Sequence, residues 1–94
     1  TKKGHLKVRI IRMRKVPFID STGINNLRSL YKRSKKAGIK LILSGVQDNV
    51  YDSIEKFGLL HEIGRDHVFS HIIPALAKAT EIVMISEQKK KSTL

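Results

Sequence analysis

The residues best suited to chemistry lie together in one short stretch, Asp20-Ser21-Thr22-Gly23, between an apolar run and an amphipathic segment. Asp20 and Ser21 both favour the N-cap of a helix. A helix N-terminus offers free N–H donors and a positive dipole end, so a phosphate on Ser21 would be stabilised there. The spacing leaves two interpretations open: a plain cap with Gly23 relaxing the turn, or an exposed phosphate acceptor, which the charge of Asp20 opposes.

Other patterns associated with binding or catalysis are incomplete. His67 and His71 are four residues apart. They would share a metal only on one helix, whereas this segment is predicted as a strand entering a helix that Pro74 opens. Ser21 has no identifiable histidine base, and the chain contains no phosphate-binding glycine motif. We therefore predict no catalytic residues, no metal site and no cofactor.

A second hydroxyl-glycine pair, Ser44-Gly45, ends a short apolar strand. Ligands of α/β proteins collect at the carboxyl edge of the sheet. This pair is therefore either a plain turn or part of a crevice near Ser21.

Charge is distributed very unevenly. The 94-residue chain has a net charge of +11, and residues 1–46 hold 13 of its 19 lysines and arginines but only one acid. This excess suits nucleic acid, an anionic membrane surface or a merely solubilising face. Nucleic acid is disfavoured because only 5% of residues are aromatic. Two interpretations apply to the basic run Lys7, Arg9, Arg12, Arg14 and Lys15. It is either a solvated strand edge, whose charges discourage unwanted pairing, or a contact with a membrane or a partner. The chain has no cysteine, which excludes disulfides and thiolate sites.

Apolar periodicity predicts strands alternating with helices, in the order β-α-β-α-β-α and with a mostly parallel sheet. The predicted strands are Leu6–Ile19, Ile39–Leu43 and His67–Ser70. The predicted helices are Thr22–Ala37, a second one capped by Asp48 or Asn49 and ended by Gly58, and Ile72–Ser86. An apolar plug of Leu59, Leu60 and Ile63 follows the second helix. The apolar side of the last helix is expected to comprise Ile73, Leu76, Ala77, Ala79, Ile82 and Val83. Residues 1–88 are predicted to form one domain and residues 89–94 a disordered basic tail.

Three stretches resemble the STAS domain (sulfate transporter and anti-sigma factor antagonist). They are V-P-F-I-D-S-T-G-I at 16–24, L-I-L-S-G-V-Q at 41–47 and G-L-L-H-E-I-G-R-D-H-V-F at 58–69. They are most similar to the cytoplasmic C-terminal domain of SulP-family sulfate permeases. In the bacterial anti-sigma factor antagonists, the other branch of this family, the serine after the aspartate accepts phosphate, and Ser21 has that position.

The resemblance implies an α/β, STAS-like fold from which the usual N-terminal strands and first helix are absent. STAS domains normally carry two strands and a helix before the strand that leads into D-S-T-G. We therefore expect an exposed sheet edge along residues 6–16, completed by a second chain or in a homodimer.

The resemblance also implies a non-enzymatic regulatory domain of a SulP-type sulfate transporter, itself soluble and placed at the cytoplasmic face of the plasma membrane. Expected partners are the transporter's own membrane domain and proteins that bind the Ser21 turn and first helix. An anionic membrane surface is expected nearby, and a nucleotide is a further candidate ligand. Candidate interaction or anion-binding residues are Asp20, Thr22, Gly23, Asn25, Arg28, Ser44 and Gly45. The alternative is a soluble anti-sigma factor antagonist regulated by phosphorylation of Ser21.

Overall fold

Strands and helices alternate around a small parallel sheet. The computed structural model describes the backbone of residues 7–92 and the side chains of residues 7–85. Its elements in order are β1 (Lys7–Arg12), α1 (Ser21–Lys36), β2 (Ile39–Ser44), α2 (Asp48–Lys56), α3 (Leu59–Ile63), a 3-10 turn (Arg65–His67) and α4 (Ile72–Ser92). The predicted α/β class with parallel strands is confirmed.

The sheet consists of β1 and β2, which pair in parallel from Lys7 opposite Ile39 to Arg12 opposite Ser44. The predicted third strand is wrong except for one residue, since Val68 forms a single parallel bridge to Leu43. The chain instead makes a 3-10 turn after Gly64, whose φ is 102°. That turn leaves too little extended chain before α4 for a ladder. Within the described residues, the other edge of β1 pairs with no strand.

The first strand is shorter than predicted and ends at Arg12 rather than Ile19. The next residues form a turn in which the N–H of Val16 donates to the carbonyl of Met13 at 2.9 Å. Pro17 then removes a backbone donor and holds the residue before it extended. The chain therefore leaves the sheet and forms a loop, residues 13–20, on its way to α1.

Helices cover both faces of the sheet because alternate residues of β2 point to opposite sides. Leu41 and Leu43 belong to a buried cluster with residues of α1, α2 and α3. Ile42 lies in a second cluster with Ala75 and Ile82 of α4. Burying both faces in this way fixes α1 on one side of the sheet and α4 on the other.

The middle helix begins one residue earlier than the predicted caps. Gln47 is the N-cap of α2, with no capping bond from its side chain, whereas Asp48 and Asn49 lie in the first turn. The predicted end at Gly58 is confirmed, since α2 stops at Lys56 and Gly58 has a φ of 80°. Leu59, Leu60 and Ile63 are buried, but as the short helix α3 rather than an irregular plug.

The last helix packs through a narrower stripe than predicted. Ile82 is buried and Ala79 is partly buried, as expected. Ala75, which the prediction did not include, is also buried, whereas the predicted Ala77 is exposed. Ile73, Leu76 and Val83 are instead 75%, 51% and 38% exposed. A helix over a two-stranded sheet can bury only one stripe, so its remaining apolar residues face outward. The backbone stays helical to Ser92, through residues 89–92 of the predicted disordered tail. Residues 93–94, and residues 1–6 with the predicted start of the first strand at Leu6, lie outside the described residues.

Candidate functional site

The Ser21 turn is built by a helix cap at the end of the 13–20 loop. The side-chain carboxylate of Asp20 accepts a hydrogen bond from the N–H of Gly23 at 2.9 Å. The backbone carbonyl of Asp20 accepts one from the N–H of Ile24, also at 2.9 Å. Asp20 is therefore the N-cap, and Ser21 is the first helical residue. Ser21 and Thr22 are both exposed beside the positive end of the helix dipole.

Gly23 has a different role from the one predicted. It lies inside α1 rather than in a relaxed turn. A Cβ built at this position would lie 2.7 Å from Cγ1 of Ile19, well inside van der Waals contact. Glycine therefore allows the end of the loop to pack directly against the first turn of α1.

The N-cap and the first turn of α2 hold the 13–20 loop in place. Gln47 donates from Nε2 to the carbonyl of Arg14 at 3.0 Å, and Asn49 donates from Nδ2 to the carbonyl of Pro17. Sequence reasoning missed both amides, although Gln47 ends the L-I-L-S-G-V-Q stretch. Two side chains 33 and 32 residues away from their acceptors thus set the position of the Ser21 turn.

Ser44 and Gly45 also contact the 13–20 loop and do not line an exposed crevice. Ser44 is only 1% exposed, and its carbonyl accepts from the N–H of Met13 at 2.7 Å. Gly45 has a φ of 67°, and a Cβ there would lie 2.8 Å from the backbone nitrogen of Arg14. The burial of Ser44 and the close packing of Gly45 favour the turn interpretation for this pair.

Arg28 links α1 to the turn between α2 and α3. Its Nε lies 2.7 Å from Oε2 of Glu62, and its Nη2 donates to the carbonyl of Phe57 at 2.7 Å. Its Nη1 makes a longer contact, 3.4 Å, with Oδ1 of Asn25. The guanidinium is thus engaged with Glu62, Phe57 and Asn25, so Arg28 is better placed to join helices than to bind an anion.

An apolar groove of about 440 Å³ lies beside the Ser21 turn. Its walls are the 13–20 loop and the neighbouring side of α1. Phe18, at its rim, is 72% exposed. The lining residues are Met13, Val16, Phe18, Ile19, Asp20, Gly23, Asn26, Leu27 and Leu30.

The histidine pair does not come together as a metal site. His67 contacts its neighbour instead, with Nδ1 3.1 Å from Oδ1 of Asp66. Lys78 of α4 lies 3.5 Å from the other oxygen of Asp66. Desolvation raises the pKa of Asp66, but the charge of His67, a backbone hydrogen bond, the His67 hydrogen bond and the charge of Lys78 together outweigh it and hold the pKa below its ordinary value. Across residues 7–85, no three histidine or acidic side chains are grouped closely enough to hold a metal ion.

The fold, the capped serine turn and the comparisons agree: the chain belongs to the STAS domain family, whose family model matches residues 1–79. The crystal structure of a sulfate transporter family protein from Wolinella succinogenes is similar to this chain, with a TM-score of 0.81 and 44% sequence identity. The match covers 83% of this chain and 64% of that chain. The STAS domain of a SulP transporter from Vibrio cholerae is 35% identical, with a TM-score of 0.76 over 81% of this chain and 60% of that one.

Curated relatives are much longer proteins. The putative sulfate transporter YvdB of Bacillus subtilis is 34% identical over 65 residues, which is 69% of this chain and 12% of that protein. Solute carrier family 26 member 9 of Xenopus tropicalis is 36% identical over 87 residues, 86% of this chain and 11% of that protein. The resemblance to the transporter branch of the family is thereby confirmed. Among the helices described, none combines the length and the apolar character needed to cross a membrane.

Proposed function

We propose that this chain is a non-enzymatic regulatory domain of a SulP-type sulfate transporter. In this proposal it lies at the cytoplasmic face of the membrane and contacts the transporter's own membrane domain. The relative named as a putative sulfate transporter and the solved structure named as a sulfate transporter family protein support the association with transport. The observation that carries the regulatory role is the exposed Ser21 directly after Asp20, which lines an apolar groove.

The chemistry of this region supports binding rather than catalysis. The Asp20 carboxylate is engaged with the Gly23 N–H, so it is already committed to the cap. Among the described residues, no histidine forms a hydrogen bond with Ser21, and a serine without a neighbouring base is a weak nucleophile. The groove is lined mainly by apolar side chains, which suit the apolar residues of a partner protein.

Phosphorylation of Ser21 is the second candidate, and the exposure of this hydroxyl at a helix N-terminus favours it. A phosphate there would gain from the helix dipole and from the first-turn N–H groups. The neighbouring Asp20 opposes it. Added charge at the rim of an apolar groove would weaken the docking of an apolar partner, so the modification would act as a switch. Within residues 7–92 the outer edge of β1 pairs with no strand, and its completion by a second chain or in a homodimer stays a prediction.

The test compares Ser21→Glu and Ser21→Ala in the full-length transporter with Ser29→Glu, a matched control that is also exposed on α1. We expect Ser21→Glu to change sulfate uptake at constant protein abundance, and Ser29→Glu to behave as wild type. Equal uptake in all variants would contradict a regulatory Ser21 surface. Incubating the chain with a cognate kinase and ATP, followed by mass spectrometry, tests phosphorylation separately. The gene upstream of Thr1 provides a further test, since about ten or more apolar spans there would support the transporter.

A further inference from the structure

A basic turn projects from the 13–20 loop and the end of β1. It consists of Arg12, Arg14 and Lys15, with Phe18 three residues further on. All four side chains are exposed, and Phe18 is 72% exposed. In the described part of the chain, no ion pair involves any of the three cations. The turn therefore presents three uncompensated charges and a phenyl ring within seven residues.

The backbone under this turn is fixed, which makes it a preformed surface. The carbonyls of Arg14 and Pro17 accept hydrogen bonds from Gln47 and Asn49. Gly45 packs against the backbone of Arg14 from the same side. Binding through the basic turn would thus order side chains without also having to order the main chain.

We propose that the basic turn binds the surface of an anionic phospholipid bilayer, with the three cations on the headgroups and Phe18 at the boundary with the acyl chains. This inference rests on the proposed function and deepens it, because it names the surface that a membrane-proximal domain would use. Lys and Arg clusters are attracted to anionic leaflets, and an adjacent aromatic side chain adds apolar insertion.

A bilayer fits the basic turn better than an acidic protein or a nucleic acid does. It supplies anionic headgroups and an apolar layer within a few ångströms of each other, so one partner satisfies both the cations and Phe18. A second basic group, Lys32, Lys35 and Lys36 on α1, is equally exposed. No exposed large apolar side chain accompanies it on α1. It therefore serves as a matched control for charge alone.

The chain offers a direct probe because it contains no tryptophan. Phe18→Trp introduces a single reporter in the basic turn, and Phe57→Trp introduces one at another exposed phenylalanine, after α2. Each variant is mixed with vesicles of phosphatidylcholine and phosphatidylserine in a mixture of about 2:1, or of phosphatidylcholine alone. We expect a blue shift and quenching by brominated lipid only for Phe18→Trp and only with phosphatidylserine present. An equal response at position 57, or no response at position 18, overturns the proposal.

Charge variants distinguish membrane binding by the basic turn from a general attraction of the positively charged chain to anionic lipid. Arg12→Gln, Arg14→Gln and Lys15→Gln together remove the cations of the turn, and Lys32→Gln, Lys35→Gln and Lys36→Gln remove the same charge from α1. With each cation contributing about fivefold, we expect the first set to weaken partition by about 100-fold and the second to have a much smaller effect. Equal losses would overturn the assignment. Vesicle binding does not measure sulfate uptake, so failure here is distinguishable from failure of the proposed regulatory function.

Discussion

Substituting alanine for Gly45 tests whether the 13–20 loop packs directly against the residue that follows β2. Gly38 and Gly45 both have positive φ angles, 77° and 67°. They differ in their surroundings: a Cβ at Gly38 would meet nothing within 4 Å, whereas one at Gly45 would lie 2.8 Å from the nitrogen and 3.0 Å from the Cα of Arg14. The pair therefore separates backbone strain from close approach.

The expected magnitudes follow from these two contributions. The left-handed conformation costs an alanine about 1–2 kcal/mol, partly offset by the lower entropy of its unfolded state, so Gly38→Ala should destabilise by about 1 kcal/mol. Gly45→Ala adds an overpacking cost of about 1–3 kcal/mol, because backbone atoms cannot rotate aside as a side chain does. A chain of this length has a free energy of unfolding of about 5–14 kcal/mol, so both variants should still fold.

Urea unfolding followed by circular dichroism measures the difference. With a denaturant slope of about 1 kcal/mol/M, Gly45→Ala should unfold at a midpoint about 1–3 M below that of Gly38→Ala. Gly58→Ala is a second control, since its φ is 80° and it also has open space around the added Cβ. Equal midpoints for the three variants would refute the close contact between the loop and Gly45.

Two further predictions concern links between elements. Arg28→Met should destabilise by about 2 kcal/mol in urea unfolding, because the carbonyl of Phe57 and the carboxylate of Glu62 both lose their charged donor, whereas Lys32→Met should change stability by less than about 0.5 kcal/mol. Asp66 has a lowered pKa in the folded chain. It therefore stabilises the fold above its ordinary pKa of about 4, and that contribution is lost as the pH falls through the folded value. We expect the urea midpoint to fall slightly more steeply with acid in the wild type than in Asp66→Asn.

The predictions for Arg28 and for Asp66 can each be contradicted by one result. Similar stability losses in the Arg28 and Lys32 variants would mean that Arg28 does not join the helices. Parallel pH profiles for the wild type and Asp66→Asn would mean that the contacts of Asp66 with His67 and Lys78 do not persist in solution. The second effect is expected to be small because the Asp66 side chain is 68% exposed.

Much of the fold was predictable because its signals are local. Asp20 at the start and Gly38 at the end predicted the bounds of α1 to within a residue. The apolar residues of β2 likewise indicated a buried strand, since the consecutive Leu41, Ile42 and Leu43 suit a strand covered on both faces. The third strand was mispredicted because Val68-Phe69 has strand propensity, while the preceding turn at Gly64 limits pairing to one bridge.

The sequence by itself determined the parallel α/β order, the capped serine turn and the excess positive charge of the first half, because these depend on residue types and short spacings. The tertiary structure alone decided which contacts the candidate residues make and how far each is buried. Arg28 forms an ion pair with Glu62, 34 residues away, and Ser44 is buried. The tertiary structure also joined Gln47 to the loop that carries Phe18 and Ser21. Such long-range contacts arise from how helices and loops pack on the sheet, which no local pattern specifies.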